Sequence, residues 1–355
     1  MTNPYRALPG RAFRRCSVTN VDPALVDPVT DVPFKISRQD KVATAGSCFA
    51  QHISRTLVRE GFNYLAIEHA SSEEDVESYQ AFSAGYGNIY TARQLLQLFN
   101  RAYGIRRPAD TVWRRDDGAF VDPFRPHIRK AGFATVEELH AARRQHLACV
   151  RRVFEDCDVF IFTLGLTESW VSKLDGTVVP LAPGVSGASE QGHAYQFENI
   201  TLDEIFEDTS AFIKQLREVN PGSRVILTVS PVPLIATYED RHVLVSNTLS
   251  KATLRLAADT VSHALPNVAY FPSYEIITGA HTRGRSFAED LRSVTEEGVR
   301  HVMRIFAQHF LTDATLEPFE IPKAEATAAC DENGSADKRY REIQVVICDE
   351  EAFDP

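Results

Sequence analysis

Residues 41–61 read Lys-Val-Ala-Thr-Ala-Gly-Ser-Cys-Phe-Ala-Gln-His-Ile-Ser-Arg-Thr-Leu-Val-Arg-Glu-Gly. The short apolar opening predicts a strand over 41–45. Ile53, Leu57 and Val58 then recur at helical spacing and predict an amphipathic helix over 51–61, with Gly61 at its C-terminal end. Gly46 can take the tight backbone that joins the two, which a side chain would forbid. Ser47 and Cys48, two nucleophile types, therefore fall on a strand-to-helix turn. The N–H groups opening the helix favour an anion or oxyanion there, and a hydroxyl at such a turn is placed for attack. The plainer alternative is that Ser47 caps the helix.

The same alternation continues downstream. Strands are predicted at Phe62–Ile67, Val159–Phe162, Arg224–Val229 and Val268–Phe271. Helices are predicted at Thr91–Tyr103, Thr135–Phe154 (with Thr135 and Glu138 as a capping box), Thr201–Val219, Asn247–Leu265 and Thr295–Phe310. Val159-Phe160-Ile161-Phe162 is the continuous apolar run of a strand buried on both faces of a parallel sheet. Residues 175–199 read as a hairpin or loop excursion. The pattern is that of an α/β fold with a right-handed parallel sheet. One domain over 39–316 is expected, preceded by an irregular lead-in (1–38), interrupted by an insertion near 101–152 and followed by an acidic tail (317–355). Residues 322–340 are expected to be disordered, and Gln344–Cys348 to dock on the domain.

Composition narrows the function. The chain has 355 residues, a net charge of −10 and no apolar run near the roughly 20 residues of a membrane span. Met1–Arg15 lacks the apolar core of a secretory signal. Six scattered cysteines without CxxC spacing point to reduced thiols in a cytoplasmic protein, with neither a metal site nor a disulfide framework. Residues 101–152 hold twelve basic against six acidic residues. That excess is either a solvated surface or a site for phosphate or carboxylate. The acidic overall balance argues against nucleic acid.

Gly46-Ser47-Cys48-Phe49-Ala50 resembles the signature of the GSCFA family. Further blocks in order strengthen the resemblance: Gly87-Asn88-Ile89-Tyr90-Thr91, Thr163 to Trp170, Thr228-Val229-Ser230-Pro231, Ser250-Lys251 with Leu254-Arg255, and Phe271 to Glu275. That family is similar to the SGNH (GDSL-like) hydrolases, which implies a flavodoxin-like three-layer fold. It also implies an esterase or O-acyltransferase needing no cofactor, acting on a carbohydrate or other small-molecule ester; the arginine-rich insertion in turn suggests an anionic substrate or an acyl-CoA donor. By resemblance, Ser47 is the nucleophile, and the Ser47 N–H, Gly87 and Asn88 form the oxyanion site. Thr167-Glu168 stand where that superfamily has an Asn-Asp pair, so the amide donor of that block is missing.

A second departure concerns the triad. The Asp-x-x-His segment of the SGNH enzymes corresponds here to Asp290-Leu291-Arg292-Ser293, with serine in the histidine position. A serine hydroxyl without an adjacent base is a poor nucleophile. His242 and Glu168 are the candidate replacements, with His127, His193 and His281 behind them. Cys48 is a rival nucleophile if its thiol is exposed and ionised, and an ordinary core residue otherwise. Ser230, Glu275, Thr167 and the helical pair Lys251/Arg255 are the candidate substrate-binding residues; the pair alternatively neutralises nearby carboxylates. The competing functional class is a ligand-binding module that has lost its proton relay.

Overall fold

Residue Val42 begins the first of four parallel strands in the computed structural model, which describes residues 3–70 and 75–313. The elements in chain order are β1 (Val42–Gly46), α1 (Ala50–Arg59), α2 (Val76–Gln80), α3 (Ala92–Ala102), β2 (Trp113–Arg114), β3 (Phe120–Val121), α4 (Val136–Asp156) and β4 (Val159–Leu164). There follow β5 (Glu168–Ser172), β6 (Val178–Val179), β7 (Tyr195–Asn199), α5 (Leu202–Val219), β8 (Arg224–Val229), α6 (Val243–Ala264), β9 (Val268–Phe271), α7 (Ser273–Thr278) and α8 (Glu296–Phe310). The central sheet runs β1-β4-β8-β9, every pair parallel. The stretch expected as a second strand is reduced to one parallel bridge, Tyr64 on Val42, at the outer edge of β1. With that edge counted, the chain order across the sheet is the doubly wound, flavodoxin-like one, and it reverses between β1 and β4.

The pleat sorts the core into two layers. In β4, Phe160, Phe162 and Leu164 face α3, α4, α5 and α6, while Val159 and Ile161 face α1 and α8. All six residues of β4 are buried, as a central strand of a covered parallel sheet requires. Thr91, Thr135, Thr201 and Thr295 each cap a helix by accepting from the backbone three residues on. The complete capping box is at Thr201/Glu204. At Thr135 the second half differs: Glu138 accepts from the Ala134 amide instead.

The helix α4 supplies Val150, Val153 and Phe154 to the main core. The segment standing apart from the layers is therefore narrower than residues 101–152. An antiparallel sheet, β6-β5-β7, grows from the chain just after β4, where the sequence suggested only a hairpin or loop. The lead-in ends on Ile36, which bridges Leu311 just past α8. No helix among the described residues is long and apolar enough to cross a membrane. The expectations for 322–340 and Gln344–Cys348 lie outside the described residues.

Candidate functional site

The strand β1 ends on Gly46, whose φ of +145° lies outside the usual range of an L side chain. A Cβ there would lie 2.5 Å from the Thr163 carbonyl oxygen of β4. Only glycine lets the two strands close at this point. Ser47 comes next, at the reversal of strand order where open α/β sheets bind ligands. Its backbone N–H donates to Thr163 O at 3.2 Å. Its Oγ is buried and makes no hydrogen bond among the described residues. The hydroxyl therefore does not cap α1: Phe49 is the cap position, and no side chain bonds there. A buried, unpartnered hydroxyl costs about 1–3 kcal/mol, and such an atom calls for a functional account.

Ser47 lines a small pocket with Cys48, Tyr90, Gly165, Ser230, Pro233 and Lys251, among others, which encloses about 10 Å³ of free space. That is room for roughly one water. Gly165 is the floor: a Cβ there would lie 3.1 Å from the Ser47 Cβ and 3.2 Å from Tyr90 O. Lys251, from α6, is only 1% exposed and donates from Nζ to the Gly165 carbonyl at 2.6 Å. The loop around 87–90 laces the strand ends together, since Ile89 N donates to Gly46 O and Gly165 N to Tyr90 O, both at 2.9 Å.

Leu234 is shared between this pocket and a larger groove of about 320 Å³. Its lining includes Leu166, Trp170, Pro183, Phe197, Ile235 and Tyr238, with Glu168 and Ser169 among few polar groups. Trp170 meets Tyr238 edge-on at 4.8 Å between ring centroids, and Phe197 lies 5.3 Å from Tyr238. The Glu168 carboxylate accepts from Thr237 Oγ1 at 2.5 Å and from the Tyr238 amide at 3.2 Å. Burial nevertheless pushes its pKa above the ordinary carboxylate range.

The other residues expected from the sequence are distributed as follows. Ser230 joins Ser47 in the small pocket. Gly87 and Asn88 line a different cavity, with Arg125 and His127. The Ser47 amide, expected to bind an oxyanion, is engaged with Thr163 O. His242 is exposed and caps α6, its Nδ1 accepting from Leu244 N. Asp290 is exposed and accepts from Ser293 Oγ and the amides of Arg292 and Ser293, so it organises its own turn. Glu168 belongs to the groove. Thr167 is buried, with its hydroxyl on Asn199 and its amide on Ser250. Lys251 and Arg255 part company: Arg255 pairs with Glu275 and Asp259 and covers the Tyr270 ring. Glu275 is thereby occupied as well, also accepting from Tyr270. His127 bonds Ser186. Cys48 is buried in the pocket wall.

Part of the arginine excess of 101–152 is internal: Arg125 and Arg143 are buried, whereas Arg107, Arg114, Arg144, Arg151 and Arg152 are exposed. Asp122 accepts from Arg125 Nε at 3.1 Å and from Arg143 Nη2 at 2.7 Å, all three side chains nearly or wholly buried. Glu68 takes Arg125 Nη1, the Gly85 amide and His146 Nδ1. Arg101 stacks on Phe124 at 3.8 Å. These three cations are committed to the fold, so neither the solvated surface nor the anion site offered by the sequence describes Arg125 or Arg143. Burial, with Arg125 adjacent, holds the His146 imidazole below its usual pKa; burial, with Arg55, lowers His52 to about 4. Both groups resist protonation when folded and accept it when unfolded. Stability should therefore be full above about pH 6.5 and decline as pH falls towards 4. Melting temperatures across pH 4–7 check this, and His52→Gln should flatten the decline.

The sequence signal missed altogether was the groove. Trp170 was visible only as the end of a motif, and nothing local tied it to Phe197 or Tyr238.

Comparison with known proteins adds the following. The sequence model of the GSCFA family matches residues 41–306. Among curated proteins, none matches the chain. Among solved structures, a variant of an acetyl-xylooligosaccharide esterase from Geobacillus Stearmophilus is similar at 12% identity and a TM-score of 0.31, over 78% of this chain and 96% of that one.

Proposed function

The chain belongs to the GSCFA family, and from that premise we propose that it is a serine acyl-ester hydrolase or O-acyltransferase working through Ser47. The observation that carries the reading is the Ser47 hydroxyl. It is buried at the strand-order reversal, opens onto a small pocket and has no hydrogen-bond partner among the described residues. A helix cap or a packing serine would spend that oxygen on a neighbour. A nucleophile keeps it for the substrate.

The body of the ester, a carbohydrate or other small molecule, would lie in the 320 Å³ groove, with its carbonyl reaching past Leu234 to Ser47. Aromatic faces beside a carboxyl suit a sugar ring, whose C–H faces stack while its hydroxyls hydrogen-bond. Transfer from an acyl-CoA donor has less support, because Arg125 and Arg143, two of the arginines in the stretch that suggested it, are paired within the fold.

The direct test is a fluorophosphonate probe, which phosphonylates activated serines. Mass spectrometry should find the adduct on the peptide carrying Ser47. An unlabelled protein would favour the second reading, a ligand-binding module, which rests on Asp290 and Ser293 bonding each other away from Ser47.

A further inference from the structure

We propose that Lys251 is the proton acceptor for Ser47, making a Ser-Lys pair in place of the triad; this rests on the serine-hydrolase reading and deepens it. The first argument is elimination within the pocket. Its lining includes no imidazole and no carboxylate, and Lys251 is its one strongly basic side chain. His242, Glu168 and Asp290, the alternatives raised by the sequence, are all engaged elsewhere.

The second argument is geometric. Gly165 carries Ser47 against its Cα and Lys251 Nζ on its carbonyl. One residue thus touches both nucleophile and amine in the lining of one small pocket, whose free space is about 10 Å³. The missing side chain at Gly165 acquires a purpose: a methyl there would come within 3.1 Å of the Ser47 Cβ and of the Tyr90 ring, a tight contact that would crowd the pocket.

The third argument is the choice of residue. Lys251 shares the buried face of α6 with Ser246, Ser250, Leu254 and Ala258, and burying an ammonium there is costly. Removing it from water favours the neutral amine, the form that accepts a proton. Lysine bases serve serine nucleophiles in other folds, and the arrangement needs no third group to set a tautomer.

The step balances as follows. The neutral Nζ takes the Oγ proton while Oγ bonds the acyl carbon, and the carbonyl π pair moves onto oxygen. As the carbonyl re-forms, the bond to the leaving alkoxide breaks and the ammonium protonates that alkoxide. Water or an acceptor alcohol then gives its proton to Nζ and attacks the acyl carbon. The bond to Oγ breaks, and Oγ recovers the proton.

Lys251→Met keeps the side-chain length and removes the base. Hydrolysis of a p-nitrophenyl ester and fluorophosphonate labelling should both fall by about 10²–10⁴-fold, with the melting temperature held within a few degrees. Lys251→Ala should regain activity with added primary amines, more with more basic amines, and its pH profile should follow the amine supplied. A purely structural lysine would not produce that rescue. In the wild-type protein, the apparent pKa governing labelling should fall on warming, as amine ionisation does and carboxylate ionisation does not; this measurement stands even if both variants misfold. Labelling within tenfold of wild type in Lys251→Met, a folded Lys251→Ala that no amine rescues, or a temperature-independent apparent pKa would each overturn the proposal. In all three cases loss of labelling in Ser47→Ala would leave the serine reading intact, whereas labelling that persists in Ser47→Ala would remove that reading itself.

Discussion

Replacing Ser47 with alanine should lower ester hydrolysis and acyl transfer by about 10⁴-fold or more, the range seen when a serine nucleophile is removed, while the protein melts at the same temperature or higher. The two halves of that result come from one atom. The Oγ is the only part of Ser47 lost, and it holds nothing in place. Its removal ends the covalent route and relieves a buried hydroxyl that lacks a partner, a gain of about 1 kcal/mol. The backbone contacts of the turn, Ser47 N to Thr163 O and Ala50 N to Ser47 O, persist in the variant. Rates and melting curves on the same samples check the pair. An unchanged rate would exclude Ser47 as nucleophile. A lost rate with a sharply lower melting temperature would instead assign the hydroxyl a structural duty.

Asp122→Ala should produce the largest loss of stability, about 3–5 kcal/mol, or on the order of 10 °C in the unfolding midpoint. Asp122 is 1% exposed and receives Arg125, Arg143 and the Phe124 amide. Without it two buried guanidinium groups face a single remaining carboxylate, Glu68, which already serves the Gly85 amide and His146. Arg101 adds a third cation nearby, whose pKa burial lowers to about 9. Asp122→Asn should cost less, since it preserves shape and some hydrogen bonds. Denaturant titrations of the two variants separate charge from geometry. Equal, small effects in both would mean that the network is solvated in solution.

The strand-and-helix plan was readable because burial writes itself into runs and periods. Val159 to Phe162 is apolar without interruption, and every expected helix has a counterpart within a few residues of its expected ends. No full strand forms at Phe62–Ile67, because residue type alone does not decide pairing at a sheet edge. At the sheet edge only Tyr64 pairs with β1, and the chain then leaves to place Glu68 against Arg125. The turn bearing Ser47 was equally legible, since glycine between strand and helix has a local cause.

The rest of the site was not legible, because it depends on depth. Lys251 and Arg255 look alike in the sequence, four residues apart on one helix. That spacing advances about 6 Å along the axis. It is enough to leave one amine in the wall of the serine pocket and carry the other cation out to Glu275 and Asp259. The arginine pairs posed the same difficulty: a count of charges does not say which of them face inward. The resemblance pointed to Ser47 as the candidate nucleophile and to Ser293 as the residue standing in the histidine position of the Asp-x-x-His segment.

The glycine ending β1 also bears on how far the five-letter signature can be trusted as a label of activity. Gly46 is demanded by the proximity of Thr163, and Phe49 and Ala50 are 1% exposed, so these letters record how two elements fit together. Cys48 is wall material too. On the serine-hydrolase reading, chemistry enters through one letter alone. A descendant that had traded its hydroxyl for a hydrogen would spell four-fifths of the signature and keep its architecture, and a search keyed to that spelling would count it among the working enzymes.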